Sequence, residues 1–164
     1  MADPDFSTFP LRKKGNQYQD FEKGQQIPHH WGRTLSEADG LLFSTQTLRF
    51  NPLYFNREYA QALGHPGPVM DPLLVLCTVV GLSVEDLSEA GGPFLGIHQI
   101  EFHTPVYAQD TLTAHSEVVS KRESEKRPTM GIVTWRTEAR NQRDEVVVSY
   151  ERTNLVAKRR EETS

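Results

Sequence analysis

The sequence predicts an α+β domain in which an antiparallel sheet wraps around one apolar helix. Helix-like patterns fill the first half of the chain, and strand-like patterns follow Pro93. The segment 72–82 is apolar at nearly every position, so we expect a helix that is buried on nearly every face. A sheet wrapped around this helix is the economical way to bury it. The 164 residues, 37% hydrophobic and 24% charged, suit one soluble domain with its own core.

The first elements are an extended segment and a capped helix. Residues 25–34 read as extended chain that is interrupted at Pro28. Ser36 is the expected N-cap of the first helix, and Asp39 lies three residues later in its first turn. The apolar face of this helix is expected to comprise Leu41, Leu42 and Phe43.

Two further helices are predicted from their end signals. Asn56 caps a short helix over 57–63, which Gly64 ends. Asp71 and Pro72 form a strong start signal for the apolar helix, with Asp at the N-cap and Pro at the first helical position. We expect this helix to run as far as Leu82.

The second half of the chain predicts four strands. Asn141–Asp144 has the composition of a hairpin turn between the last two. The expected strands cover 94–102, 110–120, 130–141 and 145–157.

We assign residues 1–16 to a loosely ordered leader, 17–157 to the domain and 158–164 to a charged tail.

Charge and cysteine content exclude several classes of function. The formal net charge of -4 carries no basic excess, which argues against a nucleic-acid partner. The one cysteine, Cys77, cannot form an internal disulfide; it predicts a cytoplasmic protein and reads as a small core residue. The apolar segment 72–82 is too short to cross a membrane. No Cys/His/Asp spacing resembles a metal site.

The most informative motif lies between the first two helices. It is followed by a short helix and reads Arg49-Phe50-Asn51-Pro52-Leu53-Tyr54. This segment resembles the active-site loop of the MaoC-like (R-specific) enoyl-CoA hydratases, which reads Asp-x-Asn-Pro-x-His. The Asn-Pro scaffold is present, but Arg49 stands where the family has Asp and Tyr54 where it has His.

Four further stretches carry the same resemblance and are most similar to the itaconyl-CoA or mesaconyl-CoA hydratase branch. They are Asp20–Gly24, Gly32–Asp39, Arg127-Pro128 with Gly131–Val133, and Asn141-Gln142 with Glu145–Val147. The resemblance implies a single hotdog domain, an antiparallel sheet around a central helix. It also implies a homodimer or larger hotdog oligomer, or a heteromer with a second hotdog subunit.

Hydration of an enoyl thioester needs a base, an acid and donors for the oxygen that gains negative charge. In the family, Asp and His hold the water, and amides at the start of the central helix bind the thioester oxygen. Arg49 stays protonated, so it either binds a carboxylate or thioester oxygen or forms an ion pair. Tyr54 is either an acid, a group that positions a hydroxyl, or a core aromatic. Asp71 is either a helix cap, a partner of Arg49 or a relocated base.

The resemblance also implies where substrate is held. Asn51, Met70 and the amide of Leu73 are expected to contact it. Lys126 and Arg127, in the turn at 121–128, either meet the phosphates of coenzyme A or form a solvated loop. No separate cofactor is expected, because coenzyme A or phosphopantetheine is part of the substrate.

Three functions therefore remain open from the sequence. The first is a hydro-lyase on a small acyl thioester with a remodelled site, in which Arg49 suits a second carboxylate. The second is a non-catalytic hotdog subunit of a heteromeric dehydratase. The third is thioester hydrolysis, isomerisation or cyclisation, where hydrolysis would need a carboxylate such as Asp71 or Glu37.

Overall fold

Helices precede the long strands in the computed structural model, which describes residue 7 and residues 15–159. Short 3₁₀ turns lie at Tyr18–Asp20 and Pro52–Tyr54. The regular elements, in chain order, are β1 (Gln26–Pro28), β2 (Arg33–Thr34), α1 (Glu37–Thr47), α2 (Arg57–Ala62), α3 (Pro72–Leu87), β3 (Phe94–Phe102), β4 (Thr111–Glu123), β5 (Met130–Arg140) and β6 (Val146–Ala157).

The strands form one antiparallel sheet in the order β1-β4-β5-β6-β3, and β2 pairs with β4 beside β1. The four predicted strands are confirmed, with β3 at its predicted bounds and β4 ending three residues later than expected. The predicted extended segment 25–34 is two short strands, because residues 29–32 between them are not in a strand. The hairpin at Asn141–Asp144 is confirmed, and Asp144 takes a left-handed φ of 62° there.

Helix α3 starts as the sequence predicts and lies against the sheet. Asp71 is its N-cap and accepts a hydrogen bond from the Leu73 N–H. The helix continues five residues past Leu82, to Leu87. Its buried side joins residues of β4, β5 and β6 in the main core cluster, which includes Val75, Leu76, Val79, Leu82, Leu112, Ala114, Ala139, Val147, Val148 and Tyr150.

The expectation that α3 is buried on nearly every face is wrong. Leu73, Cys77, Gly81 and Val84 are exposed and follow one another at helical spacing, so they form one stripe. The sheet covers only the opposite side of the helix. The prediction that Cys77 is a core residue is wrong for the same reason.

Helix α1 confirms the predicted cap but not the predicted apolar face. Ser36 and Asp39 form a reciprocal capping box. Leu41 and Leu42 are 51% and 58% exposed, while Gly40 and Ser44 are the buried positions of the helix. A Cβ on Gly40 would lie 3.2 Å from the Met70 sulfur, so the helix needs a small residue where it meets the body of the domain.

A buried polar network separates the main core from a second apolar cluster around Trp135. His29 Nδ1 lies 2.7 Å from an Asp86 oxygen, and His29 Nε2 lies 2.8 Å from Ser116 Oγ. Ser116 Oγ in turn lies 2.8 Å from Thr137 Oγ1. Asp86, His29 and Ser116 thus follow one another as in a hydrolase triad. Ser116 is fully buried and so out of reach of a substrate, which indicates that the network has a structural role.

This network predicts a loss of stability in mild acid. Burial lowers the pKa of His29 below 6.5; the nearby Asp86 opposes the shift, whereas the charges of Arg152 and His115 add to it. The unfolded chain therefore takes up a proton that the folded chain resists, so the free energy of unfolding falls as pH drops below about 6.5. One such group contributes a slope of at most about 1.4 kcal/mol per pH unit.

Urea unfolding of the wild type and of His29→Gln at pH 5.5 to 7.5 measures this slope. The substitution removes the titrating ring while its amide still donates to Asp86, so we expect a flatter profile. His98→Gln, on β3 and away from this network, should keep the wild-type slope. Equal slopes in all three proteins would contradict the assignment to His29.

The ends of the chain are described only in part. The leader predicted over 1–16 and the tail predicted over 158–164 fall mainly on residues outside the described ranges, so both stay predictions. Within the described residues, no helix has the length and apolar character needed to cross a membrane.

Candidate active site

The loop that carries the family resemblance is shaped by its own side chains. Leu48 ends α1 in a left-handed conformation with φ 57°. Asn51 then accepts a hydrogen bond from the Leu53 N–H at 3.1 Å and caps the 3₁₀ turn Pro52–Tyr54. The Asn51 side chain is exposed, and its oxygen is engaged in this turn rather than turned to a substrate.

The loop brings together the three predicted catalytic residues. Arg49 Nε donates to Asp71, which confirms the ion pair suggested by the sequence. The Arg49 Cζ atom lies 5.8 Å from the centre of the Tyr54 ring. The hydrogen bond to Asp71 raises the pKa of Arg49 above its ordinary value, so this guanidinium stays charged. The Asp71 side chain is fully buried, whereas that of Arg49 is 39% exposed.

The start of α3 is occupied by the same carboxylate. One Asp71 oxygen accepts from the Leu73 N–H at 2.8 Å, and the other accepts from Arg49. Pro72 has no N–H to offer. A helix N-terminus normally favours an external anion, but here an internal carboxylate already holds that position. Asp71 is therefore a cap and an ion-pair partner, and neither of its oxygens is placed to act as a base.

A groove of about 500 Å³ opens beside Tyr54 and Met70. Arg49, Asn51, Asp71 and Leu73 are not among its lining residues, so Tyr54 connects the predicted site to the groove. Apolar and aromatic side chains, among them Leu41, Phe55, Pro66, Pro68, Met70 and Tyr107, form about half of its walls, and charged or amide side chains form the rest.

Two ion pairs stand at the edges of the groove. Arg57, the first residue of α2, donates to Glu37 of α1 at 2.7 Å. Across the groove, Arg143 donates to Asp110 at 2.9 Å. Burial raises the pKa of Asp110, but hydrogen bonds from the Tyr107 N–H, Gln142 and Arg143 outweigh this effect and hold the pKa below its ordinary value.

Lys126 and Arg127 lie elsewhere. They belong to the turn between β4 and β5, whereas the groove lies where β4 begins and β5 ends. The 13 residues of β4 span roughly 40 Å at about 3.3 Å per residue. Within one chain, the structure therefore does not bring these two basic residues to the groove.

Most of the charged groove residues carry no signal in the sequence that marks them as part of a site. Arg57 follows the correctly predicted cap Asn56, but nothing in the local sequence indicates that it meets Glu37 across twenty residues. From the sequence, Arg143 is only part of a hairpin, and Gln142 belongs to that hairpin and to a stretch that carries the family resemblance. Their contact with Asp110 depends on the pairing of β4 with β5, which places the two loops side by side.

Comparison with known proteins identifies the family. The family described as mesaconyl-CoA hydratase matches residues 7–164. The chain belongs to the mesaconyl-CoA hydratase family. It is 41% identical over 149 residues to the mesaconyl-CoA hydratase of Haloarcula hispanica, covering 90% of this chain and 42% of that protein. The chain thus spans about two fifths of the length of this curated family member.

Solved structures confirm the hotdog fold. A putative MaoC domain protein dehydratase from Chloroflexus aurantiacus aligns with a TM-score of 0.84 and 33% identity, over 92% of this chain and 42% of the other. A Mycobacterium tuberculosis protein described as a double hotdog fold aligns with a TM-score of 0.76 and 25% identity, over 92% and 46%. The predicted MaoC-like hotdog domain, with its antiparallel sheet around a central helix, is confirmed.

Proposed function

We propose that this chain acts in the addition of water to, or its removal from, a small acyl-CoA thioester. The observation that carries the proposal is the groove of about 500 Å³ beside Tyr54, at the loop that matches the active-site loop of MaoC-like hydratases. The apolar part of its walls suits a short acyl chain, and the polar part suits the groups that react. Coenzyme A or phosphopantetheine enters as part of the substrate, with no separate cofactor.

The groove offers groups for the proton transfers that hydration requires. Tyr54 is a hydroxyl donor at the family's His position. Glu37 is a carboxylate that lines the same groove and is 62% exposed, so its oxygens are accessible to a water molecule. In this proposal Tyr54 delivers a proton and Glu37 accepts one.

A direct assay tests the proposal. The purified protein alone is incubated with mesaconyl-CoA, itaconyl-CoA and crotonyl-CoA while enoyl absorbance and free thiol are followed. We expect enoyl absorbance to fall without release of thiol. Release of thiol would indicate hydrolysis instead, and a protein that neither binds nor converts any of the three would contradict the proposal.

A second candidate is a non-catalytic hotdog module that supports a catalytic one. Its specific support is Asp71, which occupies the helix N-terminus where the family binds the thioester oxygen. In this case the protein alone binds acyl-CoA without converting it. Hydration then appears only when a second hotdog module that has the Asp/His pair is added.

Both candidates include an oligomer, as a homodimer or as a heteromer with a second hotdog protein. Strand β3 lies at the edge of the sheet, and the α3 stripe adds exposed apolar surface. Exposed apolar residues on β3 are Phe94, Leu95, Ile100 and Phe102. Light scattering after gel filtration measures the assembly, for which we expect at least a dimer. A cytoplasmic location, expected from the single cysteine, belongs to the same proposal.

A further inference from the structure

We propose that Arg57 selects acyl-CoA substrates whose acyl group carries a second, free carboxylate. This inference rests on the proposed function and assigns to Arg57 the role that the sequence suggested for Arg49. Arg49 is committed to the buried Asp71 and does not line the groove. Arg57 lines the groove and faces the space in which a small acyl group would lie.

Among the described residues, Arg57 is the groove arginine that has unused hydrogen-bond donors. It is held by one hydrogen bond, from Nη2 to Glu37, and both side chains are more than half exposed. Exposed ion pairs of this kind are weak, so an incoming carboxylate can replace Glu37. In the part of the chain that the structure describes, no hydrogen bond donated by Arg57 Nε or Nη1 is found. These donors allow a two-point contact with a carboxylate.

Arg143, the other guanidinium at the groove, is already committed. It donates through Nη1 to Asp110 and through Nε to Glu145. Asp110 is buried and also receives hydrogen bonds from Gln142 and from the Tyr107 N–H. Moving Arg143 toward a ligand would leave a buried carboxylate with fewer partners, which is unfavourable. Arg143 therefore stabilises the loop that contains it by binding Asp110 and Glu145. Arg57 is the arginine of the groove that is available to an anion.

Gly67 supports the placement of the Arg57 guanidinium. A Cβ on Gly67 would lie 3.1 Å from Arg57 Nη1, and the φ of Gly67 is one that other residues also adopt. The backbone does not require glycine here, so the missing side chain serves to make room. The guanidinium lies against the Pro66–Pro68 segment at the wall of the groove.

Saturated acyl-CoA compounds test this inference without the complication of turnover. Succinyl-CoA and butyryl-CoA both have four-carbon acyl groups and differ in that one ends in a carboxylate and the other in a methyl group. Isothermal titration calorimetry of the wild type should give tighter binding of succinyl-CoA. Arg57→Gln should weaken succinyl-CoA about tenfold and leave butyryl-CoA unchanged. Arg57→Lys keeps the charge but loses the planar two-point contact. Its affinity for succinyl-CoA should therefore lie between those of the wild type and Arg57→Gln.

Two further variants separate the role of Arg57 from general effects. Arg33→Gln is the matched control, because Arg33 is also half exposed and held by one carboxylate, Asp39 at 2.8 Å, but lies outside the groove. It should leave both affinities unchanged. Gly67→Ala keeps Arg57 but crowds its Nη1 atom, and should weaken succinyl-CoA less than Arg57→Gln does while leaving butyryl-CoA unchanged.

The outcomes distinguish this inference from the function on which it rests. If the wild type binds neither compound, the proposed function fails and the inference with it. If it binds both equally, or if Arg57→Gln keeps the preference for succinyl-CoA, only the inference is overturned. Equal weakening of both compounds by Arg57→Gln would indicate contact with the phosphates of coenzyme A, and would also overturn it.

Discussion

Replacing Arg49 by Met is expected to lower the melting temperature clearly more than replacing Asp71 by Asn. The side chain of Asp71 is fully buried, and Arg49 supplies the opposite charge. Without Arg49 the carboxylate keeps the Leu73 N–H and loses its counter-charge, and a buried unpaired charge is strongly unfavourable. Asp71→Asn retains the helix cap, since Asn caps as well as Asp. It leaves behind only Arg49, which is 39% exposed and can be hydrated.

The double variant Arg49→Met/Asp71→Asn decides whether this asymmetry arises from the pair. Removing both charges removes the orphaned carboxylate, so the double variant should melt above Arg49→Met. Scanning calorimetry of the four proteins of this cycle measures the coupling. Arg33→Met is the matched control, because its pair with Asp39 is more exposed and should change the melting temperature little. A double variant no more stable than Arg49→Met would refute the argument.

The fold was predictable because its signals are local. Ser36, Asn56 and Asp71 each cap a helix as expected, since a cap is formed within three residues of chain. The alternation of buried and exposed side chains marks β4 and β5 in the same way. The family resemblance then supplied the arrangement of these elements as a hotdog.

Burial was harder to predict, because it depends on what each face meets. The apolar composition of α3 indicates a buried helix, but one chain supplies a sheet for only one side of it. The exposed stripe through Cys77 is the result. Likewise, Leu41 and Leu42 of α1 are exposed. The residue of α1 that faces the domain is Gly40, because Met70 lies close to it.

The candidate site was predictable only where the family resemblance indicates which residues meet. Arg49, Tyr54 and Asp71 do lie together, because the loop lies beside the start of α3 in this fold. The pairing of Arg57 with Glu37 is a contact between two helices that no sequence spacing indicates. The remote position of Lys126 and Arg127 follows from the length of β4, which separates the two ends of the sheet.

Replacing Tyr54 by Phe is the change expected to affect turnover most. The substitution removes one hydroxyl and keeps the ring, over which Arg49 lies at 5.8 Å. If the Tyr54 hydroxyl delivers the proton in hydration, kcat should fall roughly 100-fold, the usual scale for loss of an acid or base. Affinity for the saturated analogue succinyl-CoA should stay the same, because the ring still lines the groove.

Tyr59→Phe provides the matched control for this measurement. Tyr59 is an exposed tyrosine on the adjacent helix α2 and is not among the residues that line the groove. Initial rates of mesaconyl-CoA hydration are compared for the wild type and both variants. If Tyr54→Phe and Tyr59→Phe both hydrate at the wild-type rate, Tyr54 is not the acid. If only an added second hotdog module confers activity, and Tyr54→Phe does not change that rate, the groove binds substrate while the partner carries the proton transfers.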